Sequence, residues 1–171
     1  MIKIFLCGFM GCGKSTLAKL ISQHLPLKFV DFDSEVEKRF NLSVSNIFSK
    51  FGEETFRKME TNVLNNIVDM KNQNLIVATG GATLISNNNF ELLNSHCKTI
   101  MINTNFDICF KRIEKSSRPL LRLGPEKLKQ LFLKRQPFYF KTAHKILTET
   151  CNSNIQTKLQ MTLKLINTFK H

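Results

Sequence analysis

Apolar residues along this chain fall into two alternating kinds of run. Short, nearly continuous apolar stretches occupy residues 2–7, 28–32, 75–79, 99–103 and 144–148, the pattern of strands buried on both faces. Between them apolar positions recur at helical spacing over 14–25, 34–40, 43–51, 54–70, 90–95, 107–114, 126–143 and 155–169. The helix at 126–143 is expected to break near Pro137, which has no amide to donate. Ser43, Asp33 and Asn105 stand where helix caps are expected. Residues 87–89, all Asn, read as a polar turn, and 116–124 as an exposed loop. Strands alternating with helices predict an α/β fold built on a parallel sheet of five strands.

The junction between the first strand and the first helix carries the strongest chemical signal. There the apolar run feeds into Gly8-Phe9-Met10-Gly11-Cys12-Gly13-Lys14-Ser15-Thr16, which fits G-x-x-x-x-G-K-[ST]. Glycine-rich backbone of this kind turns its N–H groups into a concavity, and the helix N-terminus behind it favours an anion. Lys14 would reach the β- and γ-phosphates of a nucleotide, and the Ser15 hydroxyl would ligate Mg²⁺.

In a parallel α/β sheet, ligands gather beyond the carboxyl ends of the strands. After the second strand comes Asp31-Phe32-Asp33, two carboxylates two apart, expected to point the same way from an extended segment. One could hold Mg²⁺ through water while the other accepts a hydrogen bond from a substrate hydroxyl. A helix cap with a spare surface acid is the alternative for this pair. After the third strand, Thr79-Gly80-Gly81-Ala82 lets backbone approach a ligand closely. Arg57, Arg118 and Arg135 supply guanidinium groups of the kind that bind a small anion and cover the charge developing in phosphoryl transfer.

Composition narrows the class further. The 171 residues fit one domain, and 42% hydrophobic content suffices for a core. No apolar run approaches the roughly 20 residues of a membrane span, and the N-terminus does not read as a signal peptide, so a cytoplasmic protein without a membrane partner is expected. Cys7, Cys12, Cys97, Cys109 and Cys151 include no C-x-x-C pair, which argues against a disulfide framework or a zinc site; only Cys12 is expected beside a ligand. A net charge of +12 raises nucleic acid as a partner. The basic residues are dispersed, however, and one Tyr with no Trp offers little for base stacking, so a basic surface that attracts small anions is the preferred account.

Taken together, Gly8 to Thr16, Val30-Asp31-Phe32-Asp33, Ile47-Phe48 followed by Gly52-Glu53, Phe56-Arg57 and Glu60, Ala78-Thr79-Gly80-Gly81, Arg118-Pro119-Leu120-Leu121, and Arg135 with Tyr139 resemble the shikimate kinase family in order and spacing. The resemblance spans residues 1–148. It implies a nucleoside-monophosphate-kinase-like P-loop fold: three α/β/α layers around five parallel strands in the order 2-3-1-4-5. The core would be 1–32, 71–112 and 126–171, the substrate helices 33–61, and a lid 114–125. The implied activity is transfer of the γ-phosphoryl group of ATP to the 3-hydroxyl of shikimate, on the route to chorismate and the aromatic amino acids, by a monomer.

Carried over by position, the family pattern makes Lys14, Asp33 and Arg118 catalytic. Gly11, Cys12, Gly13, Lys14, Ser15, Thr16, Arg112 and Arg118 would bind ATP, with Arg112 near the adenine. Asp33, Arg57, Gly80, Gly81 and Arg135 would bind shikimate, the two arginines through its carboxylate and the glycines through backbone N–H groups. Ser15 would ligate Mg²⁺ directly and Asp31 through water. Glu60 would orient Arg57, while Phe48, Phe56, Pro119 and Leu120 would line the ring pocket. Asp33 is expected to orient the hydroxyl, because a carboxylate of ordinary pKa does not ionise an alcohol beforehand. Three departures stand out: Ala82 replaces the usual third glycine, the spacing from Arg112 to Arg118 is unusual, and 148–154 lacks the basic residue and proline common in the adenine loop. Two alternatives remain open at this level. One is a gluconate or nucleotide kinase, and the other a nucleotide-binding regulator or RNA-binding P-loop protein without catalysis.

Overall fold

The computed structural model describes residues 1–85, 87–116, 118–149 and 154–169, apart from the side chains of Asn87 and Pro119. The expected strands form within one residue at either end: β1 (Lys3–Cys7), β2 (Lys28–Asp31), β3 (Leu75–Ala78), β4 (Lys98–Asn103) and β5 (Lys145–Thr148). They make one parallel sheet in the order β2-β3-β1-β4-β5. β3, flanked by strands on both sides, is buried at every position, whereas the edge strands β2 and β5 each include exposed residues, as a strand with one open flank should. The register sets Leu6 and Asp31 beside Ala78, and Cys7 beside Met101. The segments following β1, β2 and β3 therefore leave the sheet side by side.

Among the described residues, seven helices complete the three layers: α1 (Lys14–His24), α2 (Phe32–Phe40), α3 (Val44–Asp69), α4 (Asn87–His96), α5 (Phe106–Ile113), α6 (Gly124–Thr142) and α7 (Ile155–Asn167). Helix α1 buries Leu17, Ala18 and Ile21 over β1 to β3 and touches α7. Helices α4 and α6 pack on β4 and on each other. The core so enclosed contains Phe5, Leu6, Ile76, Leu64 and Ile67, each at most 1% exposed. Burial of each such side chain contributes roughly 1.5–3 kcal/mol before entropy is counted.

Five local expectations change. Asp31 caps α2, its Oδ1 accepting from the Ser34 amide at 3.3 Å, so Asp33 lies inside the first turn and is not the cap. The two helices expected over 43–51 and 54–70 join as α3, with a break only at Gly52 (φ 75°, ψ 175°). Helix α6 runs through Pro137 without ending. Pro137 is exposed and Leu133, whose carbonyl loses its amide partner, is 57% exposed, so water is at hand to satisfy that carbonyl. Residues 87–89 start α4 and do not form a turn, because Asn89 is drawn inward to donate to the Thr83 carbonyl at 2.8 Å and to accept from Thr61 Oγ1 at 2.9 Å. Within the expected loop 116–124, Pro119–Leu123 form a short 3₁₀ turn.

Candidate active site

The phosphate loop occupies the turn between β1 and α1. Gly13 caps α1 in the left-handed region (φ 96°, ψ 19°) and supplies no side-chain cap, which leaves the amides of the first turn for a ligand. A Cβ at Gly13 would meet nothing within 4 Å, so the space beside the loop is open there. Lys14 is buried, with Nζ donating to the carbonyls of Gly8 at 2.8 Å and Phe9 at 3.1 Å. Beneath it the Cys12 thiol is 1% exposed and 3.8 Å from that ammonium, so this residue can meet a ligand only through its backbone. Ser15 and Thr16 are exposed at the head of the helix. The other described cysteines, Cys7, Cys97 and Cys109, are buried free thiols; burial pushes Cys97 up to about 11 and Cys109 to about 12, which keeps both protonated at neutral pH. Cys151 lies outside the described residues.

Asp31 and Asp33 do come together with the loop, but not as side chains projecting in parallel from one strand. Asp31 ends β2, and its Oδ2 accepts from Ser15 Oγ at 2.8 Å. A hydroxyl and a carboxylate in contact form an all-oxygen donor pair that suits Mg²⁺, whose remaining positions are commonly water and phosphate oxygens. Asp33 turns toward the segment after β3: its Oδ1 lies 2.6 Å from the place a Gly80 Cβ would take. Any side chain at position 80 would displace Asp33. Burial raises the Asp33 pKa above its ordinary value and the Asp31 charge adds to this, against the opposing pull of Lys14 and Arg118. The carboxylate is thus a stronger base than an exposed one.

Helix α3 delivers the first arginine. Beyond the break at Gly52, Arg57 pairs with Glu60 one turn on, and with Glu53 one turn back at 2.9 Å. Its guanidinium also lies over the rings of Phe48 (5.9 Å) and Phe56 (5.3 Å), themselves 4.5 Å apart. Glu60 is 1% exposed and burial raises its pKa, with the Arg57 charge and the Thr83 hydroxyl at 2.9 Å opposing that rise. Arg57 is therefore held from both sides.

The second arginine comes from α6. Arg135 Nη1 donates to the Gly81 carbonyl at 3.5 Å, and Tyr139, one turn later, donates its hydroxyl to the same oxygen. Gly81 thus offers its carbonyl to the fold in addition to any amide it offers a ligand. Among the described residues Arg135 forms no ion pair, and its buried Nε has no hydrogen-bond partner. Burial lowers the Arg135 pKa from its ordinary value, and the Arg57 charge adds to that lowering. A half-buried guanidinium without a counterion, within the field of another, is a place for a carboxylate. Ala82 is 8% exposed and is not among the residues with positive φ, so the backbone accepts a methyl where a third glycine was usual.

Arg118 is exposed at the start of the 3₁₀ turn, and Leu120 packs partly against the core. The side chain of Pro119 and residues 150–153 of the adenine-loop segment lie outside the described residues. Arg112 reaches the phosphate loop, donating to the Gly11 carbonyl at 3.3 Å, and pairs with Glu149. Glu53, Thr83, Asn89, Tyr139 and Glu149 join these residues without an expected role. Two carried a usable signal, since Glu53 and Tyr139 stand four residues from Arg57 and Arg135 on the same helix face. Thr83, Asn89 and Glu149 meet their partners only through tertiary contacts.

The sequence model of the family described as "Shikimate kinase" matches residues 10–167. The shikimate kinase of Bacteroides fragilis is 32% identical over 176 aligned positions, covering 98% of this chain and 97% of that one. The bifunctional shikimate kinase/3-dehydroquinate synthase of Thermotoga maritima is 41% identical over 138 residues; this chain spans 27% of its length. Among solved structures, shikimate kinase from Acinetobacter baumannii in complex with shikimate matches with a TM-score of 0.91 and 32% identity, covering 99% of this chain and 95% of that one. With a phosphate loop, two aspartates, two arginines and a glycine pair gathered at the carboxyl end of one sheet, and with these similarities along nearly its whole length, the chain belongs to the shikimate kinase family.

Proposed function

We propose that this protein transfers the γ-phosphoryl group of ATP to the 3-hydroxyl of shikimate, giving shikimate 3-phosphate and ADP for chorismate and aromatic amino acid synthesis. The observation that carries this reading is Arg135: a half-buried cation without a counterion among the described residues, beside Gly81 and across from Arg57, only a short step from the phosphate loop. An acceptor with a carboxylate at one end and a hydroxyl at the other can bridge Arg57 and Arg135 to Asp33. Gluconate shares those groups but not a rigid ring to occupy the space beside Phe48 and Phe56.

The chemistry follows from positioning and charge. Gly11, Cys12, Gly13, Ser15 and Thr16 present backbone amides to the phosphates, and Lys14 leaves its carbonyl partners to follow the β- and γ-oxygens. Ser15 and Asp31 would hold Mg²⁺, which supplies charge neutralisation on the phosphates. Asp33 orients the acceptor hydroxyl and takes its proton as the bond to phosphorus forms. Arg118, on the segment 114–125 serving as lid, brings positive charge over the transferring group, where it acts chiefly in the transition state. Arg112 stands on the adenine side. We further propose a cytoplasmic monomer, with neither nucleic acid nor membrane as a partner; among the described residues, no helix is long and apolar enough to cross a membrane.

A coupled ADP-release assay with Mg-ATP, comparing shikimate, gluconate, nucleoside monophosphates and no acceptor, tests the reading. Shikimate-dependent release that disappears in Asp33→Asn is the expected result. Turnover with gluconate or a nucleotide in place of shikimate, or ATP binding with no acceptor-dependent turnover, would overturn it.

A further inference from the structure

Glu149 follows β5, and its side chain is 2% exposed. Donors from three separate parts of the fold meet on its carboxylate. Arg112 of α5 approaches with both ends of its fork, Nη2 to Oε1 at 2.6 Å and Nη1 to Oε2 at 3.1 Å. Thr104, just after β4, donates Oγ1 to Oε2 at 2.7 Å, and Lys158 of α7 pairs with Oε1. The same Nη1 of Arg112 reaches the carbonyl of Gly11 in the phosphate loop at 3.3 Å. The loop already lies hard against α5 at that point: a Cβ on Gly11 would come within 2.4 Å of the Cys109 carbonyl oxygen and 3.0 Å of Ile113 Cγ2. Arg112 itself is 39% exposed, and a long side chain at such a site would sample many rotamers without a fixed partner.

We infer that Glu149 is a positioning residue for the nucleotide: it fixes Arg112 across Gly11 and so holds the middle of the phosphate loop against α5 in the shape that receives the phosphates. Lys158 neutralises Glu149 from the α7 side and takes no part in this, because among the described residues its ion pair is with Glu149 alone. A bidentate guanidinium–carboxylate pair fixes direction as well as distance, which a single ammonium contact does not. The inference rests on the kinase reading, since it concerns how the loop meets ATP.

Direct calorimetric binding of Mg-ATP without shikimate, and of shikimate without nucleotide, separates the roles. Glu149→Gln is expected to weaken Mg-ATP about tenfold while shikimate binding stays within about twofold. Arg112→Gln, at an exposed position that leaves Glu149 still paired with Lys158, should weaken Mg-ATP comparably, and the double variant should be no worse than Arg112→Gln alone. Lys158→Met should lower the melting temperature yet leave Mg-ATP binding unchanged. The inference is overturned if Glu149→Gln binds Mg-ATP normally, if its effect persists in full on the Arg112→Gln background, or if Lys158→Met weakens Mg-ATP as much. If Glu149→Gln does not fold, Arg112→Gln with unaltered Mg-ATP binding overturns it equally. Absence of Mg-ATP binding to the unaltered protein is a different pattern, which removes the kinase reading and this inference together.

Discussion

At the scale of single residues, Asp33 departs from an exposed carboxylate. Burial first and the neighbouring Asp31 second raise its pKa above the ordinary 3.8, which adjusts the sequence-based expectation of an ordinary value. The working form is the ionised one, so activity is present above the raised pKa and is lost as pH falls through it. The acid limb of kcat/KM for shikimate is therefore expected above pH 3.8, where the carboxylate titrates in the enzyme that has not yet bound shikimate. A limb at or below the ordinary value, measured at saturating Mg-ATP, would remove burial as a determinant of this step. Arg135 yields a second prediction. Arg135→Ala should raise the shikimate KM by roughly tenfold to a hundredfold, the loss of a charge-assisted pair, while the ATP KM stays within about twofold. Equal losses for both substrates would take Arg135 out of the carboxylate clamp.

Elements determine how these residues are aimed. The break at Gly52 (φ 75°, ψ 175°) redirects α3 just before Glu53, Phe56 and Arg57, and no atom lies within 4 Å of where its Cβ would stand. Substitution there is strained by the backbone alone. Gly52→Ala is expected to cost about 1–3 kcal/mol in stability, read by urea unfolding, because only glycine adopts this region readily. It should also raise the shikimate KM with little change for ATP, since Arg57 rides on the redirected half. Unaltered stability and kinetics would mean that the break is tolerant of side chains. Helix α6 teaches a related lesson: Pro137 does not end it, and that continuity keeps Arg135 and Tyr139 one turn apart on the same Gly81 carbonyl.

Across the whole molecule, the Glu149 cluster joins β4, β5, α5 and α7. Burial alone would raise the pKa of Glu149, but hydrogen bonds from Arg112, Lys158 and Thr104 overcome that and bring it from 4.5 to about 2. A carboxyl group with a depressed native pKa contributes stability that is fully present above the unfolded value and is lost as pH falls toward the native one. Melting temperature should therefore fall between pH 4.5 and about 2, and Glu149→Gln should flatten the fall in that window while lowering stability at neutral pH. Parallel pH curves for the two proteins would show that the cluster carries no such linkage. The net charge of +12 acts at the same scale, raising the local concentration of anionic substrates, an attraction that salt screens.

The strands, the phosphate loop and the family motifs were legible in the sequence because each depends on local order: apolar runs pair into strands, and glycine spacing sets a loop. Helix boundaries at Ser43 and Asn105 were legible for the same reason, as each cap bonds an amide two or three residues on. What tertiary structure decided involves partners distant in sequence. Asp31, and not Asp33, became the cap because its other oxygen is tied to Ser15 across the sheet, leaving Asp33 to face Gly80. Asn89 entered a helix because Thr61 and Thr83 satisfy its amide, and Glu149 became a buried junction because three elements bring it donors. A polar residue in a sequence looks solvated until the fold supplies its hydrogen-bond partners, and burial without those partners would cost more than any local preference can offset.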